Sequence, residues 1–159
     1  MPGTAAARGA SYVMIRPGSG GQVSTMNGGS DDYARARSLR AGDVDARVVE
    51  ALPWVLLKYP DLDWTWLVRE AKVDDLQNRL GFLVSVARQL AELRGETGTA
   101  KRLAEQEQTL EGSRLQREGA FRESLTDAER RWLREHRPPH ATHWNMLSTV
   151  NGSELASAF

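Results

Sequence analysis

Residues 74–95, DDLQNRLGFLVSVARQLAELRG, decide the fold. Leu76, Leu80, Leu83, Ala87, Leu90 and Ala91 recur at spacings of four, three, four, three and one. An α-helix brings residues three and four apart onto one face, so these six make a continuous apolar stripe. Phe82 and Val86 widen it. Asp74 with Gln77 three positions later has the pattern of a capping box, with Asp as the N-cap. Gly95 and Gly98 mark the stop. The spacing predicts a helix over Asp74–Arg94 that supplies the core.

Upstream, Val44, Val48, Val49, Ala51 and Leu52 keep helical spacing from Asp43 onward. Pro53 either kinks that helix or opens another as its first residue. Trp54, Val55, Leu56 and Leu57 follow, and Pro60 stops the run. Asp61 and Asp63 are candidate N-caps for a helix carrying Trp64, Trp66, Leu67 and Ala71, with Lys72 complementing its C-terminal dipole. Downstream, residues 99–122 are mostly Glu, Gln and Arg around Leu103, Leu110 and Leu115, which predicts a long surface helix or arm. Thr126 with Glu129 is a second capping box, opening a short helix with Ala128, Trp132 and Leu133 on one side. Pro138 and Pro139 end it. Residues 138–159 read as a loosely docked tail. Residues 1–42 are Gly- and Ser-rich and then charged, ending at Ala41-Gly42. Such a stretch buries too little apolar surface to offset its chain entropy, so a flexible tail is expected there.

Composition narrows the function classes. The 159 residues carry 21 basic and 21 acidic side chains, for a formal net charge of zero. A dedicated nucleic-acid or membrane-surface protein usually shows a basic excess. There is no cysteine, which removes disulfides, thiolate metal sites and cysteine nucleophiles, and fits a reducing compartment. Only Lys58, Lys72 and Lys101 are lysines, so the basic side chains are overwhelmingly Arg. No apolar run approaches the roughly 20 residues needed to span a membrane.

Four patterns carry candidate chemistry. Gly18, Gly20 and Gly21 suggest a phosphate loop, but no Lys precedes Lys58 and Val23 stands where a dinucleotide loop needs glycine. A flexible linker is the better reading. His136, His140 and His143 have a spacing that superficially suits zinc. Pro138 and Pro139 break the helix that would align the first two, so no metal ligand is assigned. Arg130, Arg134 and Arg137 line one face of the last helix and could contact phosphate. Glu129 and Glu135 dilute that stripe, which equally describes a solvated face. Trp64 and Trp66 are two residues apart and point in different directions on a helix. One of them is therefore expected at the surface, as a candidate anchor for a protein partner. No catalytic triad or carboxylate pair stands out; Asp61, Asp63, Asp74 and Asp75 are close in sequence, and helix capping explains two of them.

The segment from Ala46 to Glu92, with LDWTWLV at 62–68 and EAKVDDLQNRLGFLV at 70–84, together with ERRWLREH at 129–136, resembles the helical part of bacterial regulators. These are associated with mobile elements and toxin–antitoxin-type loci. The resemblance rests on structural motifs, so it transfers no site residue. Such regulators usually carry an N-terminal helix-turn-helix. Residues 1–42 contain no such unit.

The reading is an all-α protein, a small bundle of four to six helices over 43–137 with a disordered N-terminal tail. Its expected role is that of a non-enzymatic cytoplasmic interaction protein, a regulator or antitoxin-like domain. Trp64 and Trp66 are the candidate partner contacts, and the partner is another protein or a second copy of the chain. The alternatives are a nucleic-acid-binding regulator using Arg130, Arg134 and Arg137, and a metal-dependent enzyme using the three histidines. No cofactor, metal site, catalytic residue or membrane association is expected.

Overall fold

The computed structural model describes residues 44–59 and 61–158, all of which fall in one unit of the chain. The tail expected over 1–42 lies outside the described residues. The architecture is mostly helical, as the apolar spacings predict. In chain order the helices are α1 (Ala46–Lys58), α2 (Trp64–Val73), α3 (Gln77–Leu93), α4 (Thr97–Glu111), α5 (Asp127–His136), α6 (Pro139–His143) and α7 (Gly152–Ala158). Two short strands, β1 (Gly119–Ala120) and β2 (Met146–Leu147), pair in parallel, Gly119 opposite Met146 and Ala120 opposite Leu147.

Local chemistry accounts for most of the boundaries. Asp45 caps α1 by accepting from the Arg47 amide at 2.8 Å, and Asp63 caps α2 through the Trp66 amide at 3.0 Å. Pro53 lies inside α1, which runs unbroken to Lys58. Pro53 is buried there beside Val49, Leu56 and Leu57, so packing offsets the lost backbone bond. The capping box of Thr126 and Glu129 opens α5.

The box expected at Asp74–Gln77 does not form. Asp74 closes α2 instead, its amide donating to the Glu70 carbonyl at 3.2 Å. Asp75 takes a left-handed φ of 57°. Its amide reaches the Lys72 carbonyl at 3.3 Å, and the Leu76 amide reaches Ala71 at 2.7 Å. That pair of bonds is a Schellman stop, a position usually given to glycine and tolerated by Asp. Only three residues separate α2 from α3, and the stop uses all of them. The start of α3 is left without a side-chain cap. The same motif ends α3, at Gly95 with φ 73°. There the Glu96 amide donates to Ala91 at 2.8 Å. Gly98, read as a second stop, lies inside α4.

Helix α3 is the axis of the molecule. The expected stripe supplies one side of it, with Leu80, Leu83, Ala87, Leu90 and Ala91 buried. Val84 and Ser85 are equally buried, so the helix is enclosed on nearly every side. α1, α2, α4, α6, α7 and both strands pack against it.

The largest correction concerns residues 138–159. Read as a loosely docked tail, this segment instead contributes to the core. Trp144 is only 1% exposed, and Met146, Leu147 and Leu155 are buried. The Trp144 ring lies against the backbone of α3 at Gly81. A Cβ on residue 81 would stand 2.5 Å from the ring, well inside van der Waals contact. Only glycine admits the ring there. Periodicity did not reveal this segment because its apolar residues lie on short elements joined by turns, one of them at Asn145 with φ 53°. Trp144→Ala is therefore expected to cost about 3–5 kcal/mol of stability, read from denaturant unfolding. A loss below about 1 kcal/mol would show the segment to be peripheral.

Candidate functional site

The first turn of α3 is polar and buried, through Gln77, Asn78 and Arg79. Each side chain holds the irregular segment between α4 and α5. Gln77 Nε2 donates to the Ser113 carbonyl at 3.0 Å. Asn78 grips Leu115 twice, donating to its carbonyl at 2.9 Å and accepting from its amide at 2.8 Å. Arg79 Nη2 donates to the Ala120 carbonyl at 2.7 Å, and its guanidinium lies over the Phe121 ring. Burial lowers the pKa of Arg79, and Glu123 opposes that shift. In the sequence Asn78 and Arg79 only interrupt the apolar stripe, and Gln77 has the place of a capping-box partner. A polar run at the start of an apolar helix was the available signal.

Beside this turn lies a polar cleft of about 310 Å³. Its charges balance. Arg79, Arg117, Arg122 and Arg130 stand against Asp74, Asp75, Glu118 and Glu123. Arg117 meets Asp75 at 3.2 Å. The cleft is a set of structural pairs with no single sign of charge to attract a ligand.

The arginine stripe of α5 turns toward the same segment. Arg134 makes two bonds to Glu118, at 2.9 and 2.7 Å, the planar fork that favours Arg for carboxylates. Arg137 approaches Glu118 at 3.8 Å and donates to the Met146 carbonyl at 3.3 Å. Arg130 donates to the Glu123 carbonyl at 3.3 Å. The Arg134 guanidinium, with help from Arg137 and Arg130, holds the Glu118 carboxyl below its usual range. These cations thus fasten α5, which has no buried residue, to the body of the protein. Trp132, expected on the inner side of α5, is 53% exposed and stacks on His136 with ring centroids 4.2 Å apart.

The three histidines take separate partners. His136 Nδ1 lies 2.8 Å from the Trp132 carbonyl. His143 Nε2 lies 2.8 Å from Glu111 Oε1. His140 is half-buried, stacked on Phe82, with Nε2 2.9 Å from the Val150 carbonyl. Among the described residues no group of three or more His, Asp or Glu is placed to hold a metal.

Trp64 and Trp66 are both half-buried against the core. Only Trp64 also lines a surface groove, of about 620 Å³, between α2 and α4. The two helices lean on α3 but scarcely touch each other, which leaves the channel open. Trp64, Val68 and Val73 are its apolar lining on α2, with Thr65, Arg69 and Lys72 among them and Gln106 and Thr109 on the α4 side. Val73 is 72% exposed, a high value for a large apolar residue. No protein family model matches the chain, and no curated protein or solved structure matches it either.

The environment of His140 sets a pH dependence. Burial pushes its imidazole below the ordinary 6.5; the Val150 carbonyl opposes the shift and the Arg88 cation adds to it. The fold therefore favours the neutral ring. Its contribution is complete above about pH 6.5 and is lost as pH falls from there through the lower folded value. Glu118, also shifted down, contributes above its ordinary 4.5 and loses that contribution only at more acid pH. The thermal midpoint should fall between pH 7 and 5.5, and His140→Gln should flatten that fall. Equal slopes for the two proteins would remove His140 as its source.

Proposed function

We propose that the chain is a non-enzymatic, partner-binding helical domain, and that its partner sits in the groove between α2 and α4. The carrying observation is a channel that no described element fills, lined at one end of α2 by the half-buried Trp64 and at the other by the 72%-exposed Val73. A tryptophan at the wall of a groove offers a large apolar area on a side chain with few rotatable bonds, which is the character of binding hot spots. The groove lies on α2 and α4, both packed on α3, so it is rigid before any partner arrives. Within this reading the domain is a regulator or antitoxin-like protein of the bacterial cytoplasm. The resemblance of residues 46–92 and 129–136 to such regulators supports it, and the cysteine-free sequence suits that setting.

Nucleic-acid binding ranks second. Of its three named residues, Arg134 and Arg137 already meet Glu118, and Arg130 donates to the Glu123 carbonyl. A phosphate would have to compete with these acceptors for them.

The test is co-purification of the full chain with the product of the gene adjacent to its own. Val73→Asp should abolish the complex while leaving the far-ultraviolet circular dichroism unchanged, because residue 73 is largely exposed. Trp132→Ala, on α5, should leave the complex intact. A complex that survives Val73→Asp but is lost with Trp132→Ala would move the interface to α5 and contradict this assignment.

A further inference from the structure

The charges around the groove say more about its occupant. The chain as a whole is neutral, with 21 basic and 21 acidic residues. The groove is not. Arg69 and Lys72 line it, and no carboxylate does. Both cations are exposed. Arg69 has one ion pair, with the adjacent Glu70 at 3.9 Å, a distance and exposure that make it weak. On the facing side Gln106 and Thr109 are neutral.

These residues have a helical arrangement of their own. Trp64 and Val68 are one turn apart along α2, and Arg69 and Val73 are another such pair, with Lys72 beside them. Trp64 and Val68 border the groove on one side of α2 and Val73 on the other, with Thr65, Arg69 and Lys72 between them. α2 has ten residues, so this lining is about 15 Å long. That length matches two to three turns of a docked helix, whose anchors would recur at i, i+3 or i+4, and i+7.

We propose that the groove takes an amphipathic helix of a partner protein, whose docked face carries apolar anchors toward Trp64, Val68 and Val73 and Asp or Glu next to them toward Arg69 and Lys72. Burial of the anchors against Trp64, Val68 and Val73 supplies affinity. The two cations supply orientation and discrimination against basic helices, because like charges facing each other across an interface are unfavourable. The proposal rests on the groove being the partner site and adds the chemistry of the partner.

The experiment is a display selection on the full-length protein, using a library of 18-residue helical peptides. The library has a fixed apolar spacing and randomised flanking positions. Enriched peptides are counter-selected on Val73→Asp and then measured by fluorescence anisotropy on the wild-type chain and on the double variant Arg69→Glu, Lys72→Glu. Circular dichroism verifies that each variant is folded. The expected result is an excess of Asp and Glu at the flanking positions. Affinity should fall about tenfold or more on the charge-reversed variant, with recovery when the peptide's acids are changed to Lys. Peptides that bind in a Val73-dependent manner but are neutral or basic would overturn the acidic partner and leave the groove as the site. Peptides that bind regardless of Val73→Asp, or no enrichment at all, would overturn both.

Discussion

The contact of the Trp144 ring with the bare backbone at Gly81 is the constraint on which the rest of the structure depends. A buried tryptophan removes roughly 150–250 Å² from water, worth on the order of 5 kcal/mol at about 25 cal/mol per Å². Here that area is laid on α3, the helix against which most other elements pack. The contact also positions the residues C-terminal to Trp144. β2 pairs with β1, and α7 packs on α3, where Gln89 accepts from the Gly152 amide at 2.8 Å. A segment remote in sequence thereby closes the side of α3 that the preceding helices leave open.

A second layer of order comes from polar groups. The buried first turn of α3 holds the irregular segment after α4 through backbone carbonyls and amides. Buried backbone groups need partners, and this segment, being neither helix nor extended sheet, finds them in side chains. Glu118, carried by the same segment, then receives Arg134 from α5. The chain of support runs from α3 to the segment and outward to α5. α2 takes no part in it, and it carries the groove lined by Trp64, Val73 and the two cations.

Range decided how much of the fold was legible in the sequence. Asp63 as a cap, the Thr126–Glu129 box and the stop at Gly95 are local patterns whose chemistry lies within a few residues. The apolar stripe of α3 was legible for the same reason. The Asp74–Gln77 box failed because two helices compete for the same three residues, and the stop of α2 prevailed through Asp75. The core role of Trp144 depends on a contact between positions 81 and 144, and no periodic pattern encodes it. Gly81 sits unremarkably inside a helical stripe until the ring that needs it is in view. Of the two tryptophans, Trp64 lines the groove between α2 and α4, whereas Trp66 packs on the core without lining it. The arginine stripe was visible as a pattern. Its destination, Glu118, was not, because a stripe in sequence does not say which way its face turns.

A double-mutant cycle between residues 81 and 144 tests this account most directly. In the wild-type background Gly81→Ala forces a methyl group into the tryptophan ring, and overpacking of this kind costs about 1–3 kcal/mol. In a Trp144→Leu background the clash is gone. The same substitution should then be neutral or stabilising by up to about 1 kcal/mol, because alanine favours a helix over glycine. The account predicts this reversal of sign, measured by denaturant unfolding. An equal cost for Gly81→Ala in both backgrounds would show that residues 81 and 144 are not coupled, and would contradict the central place given to their contact.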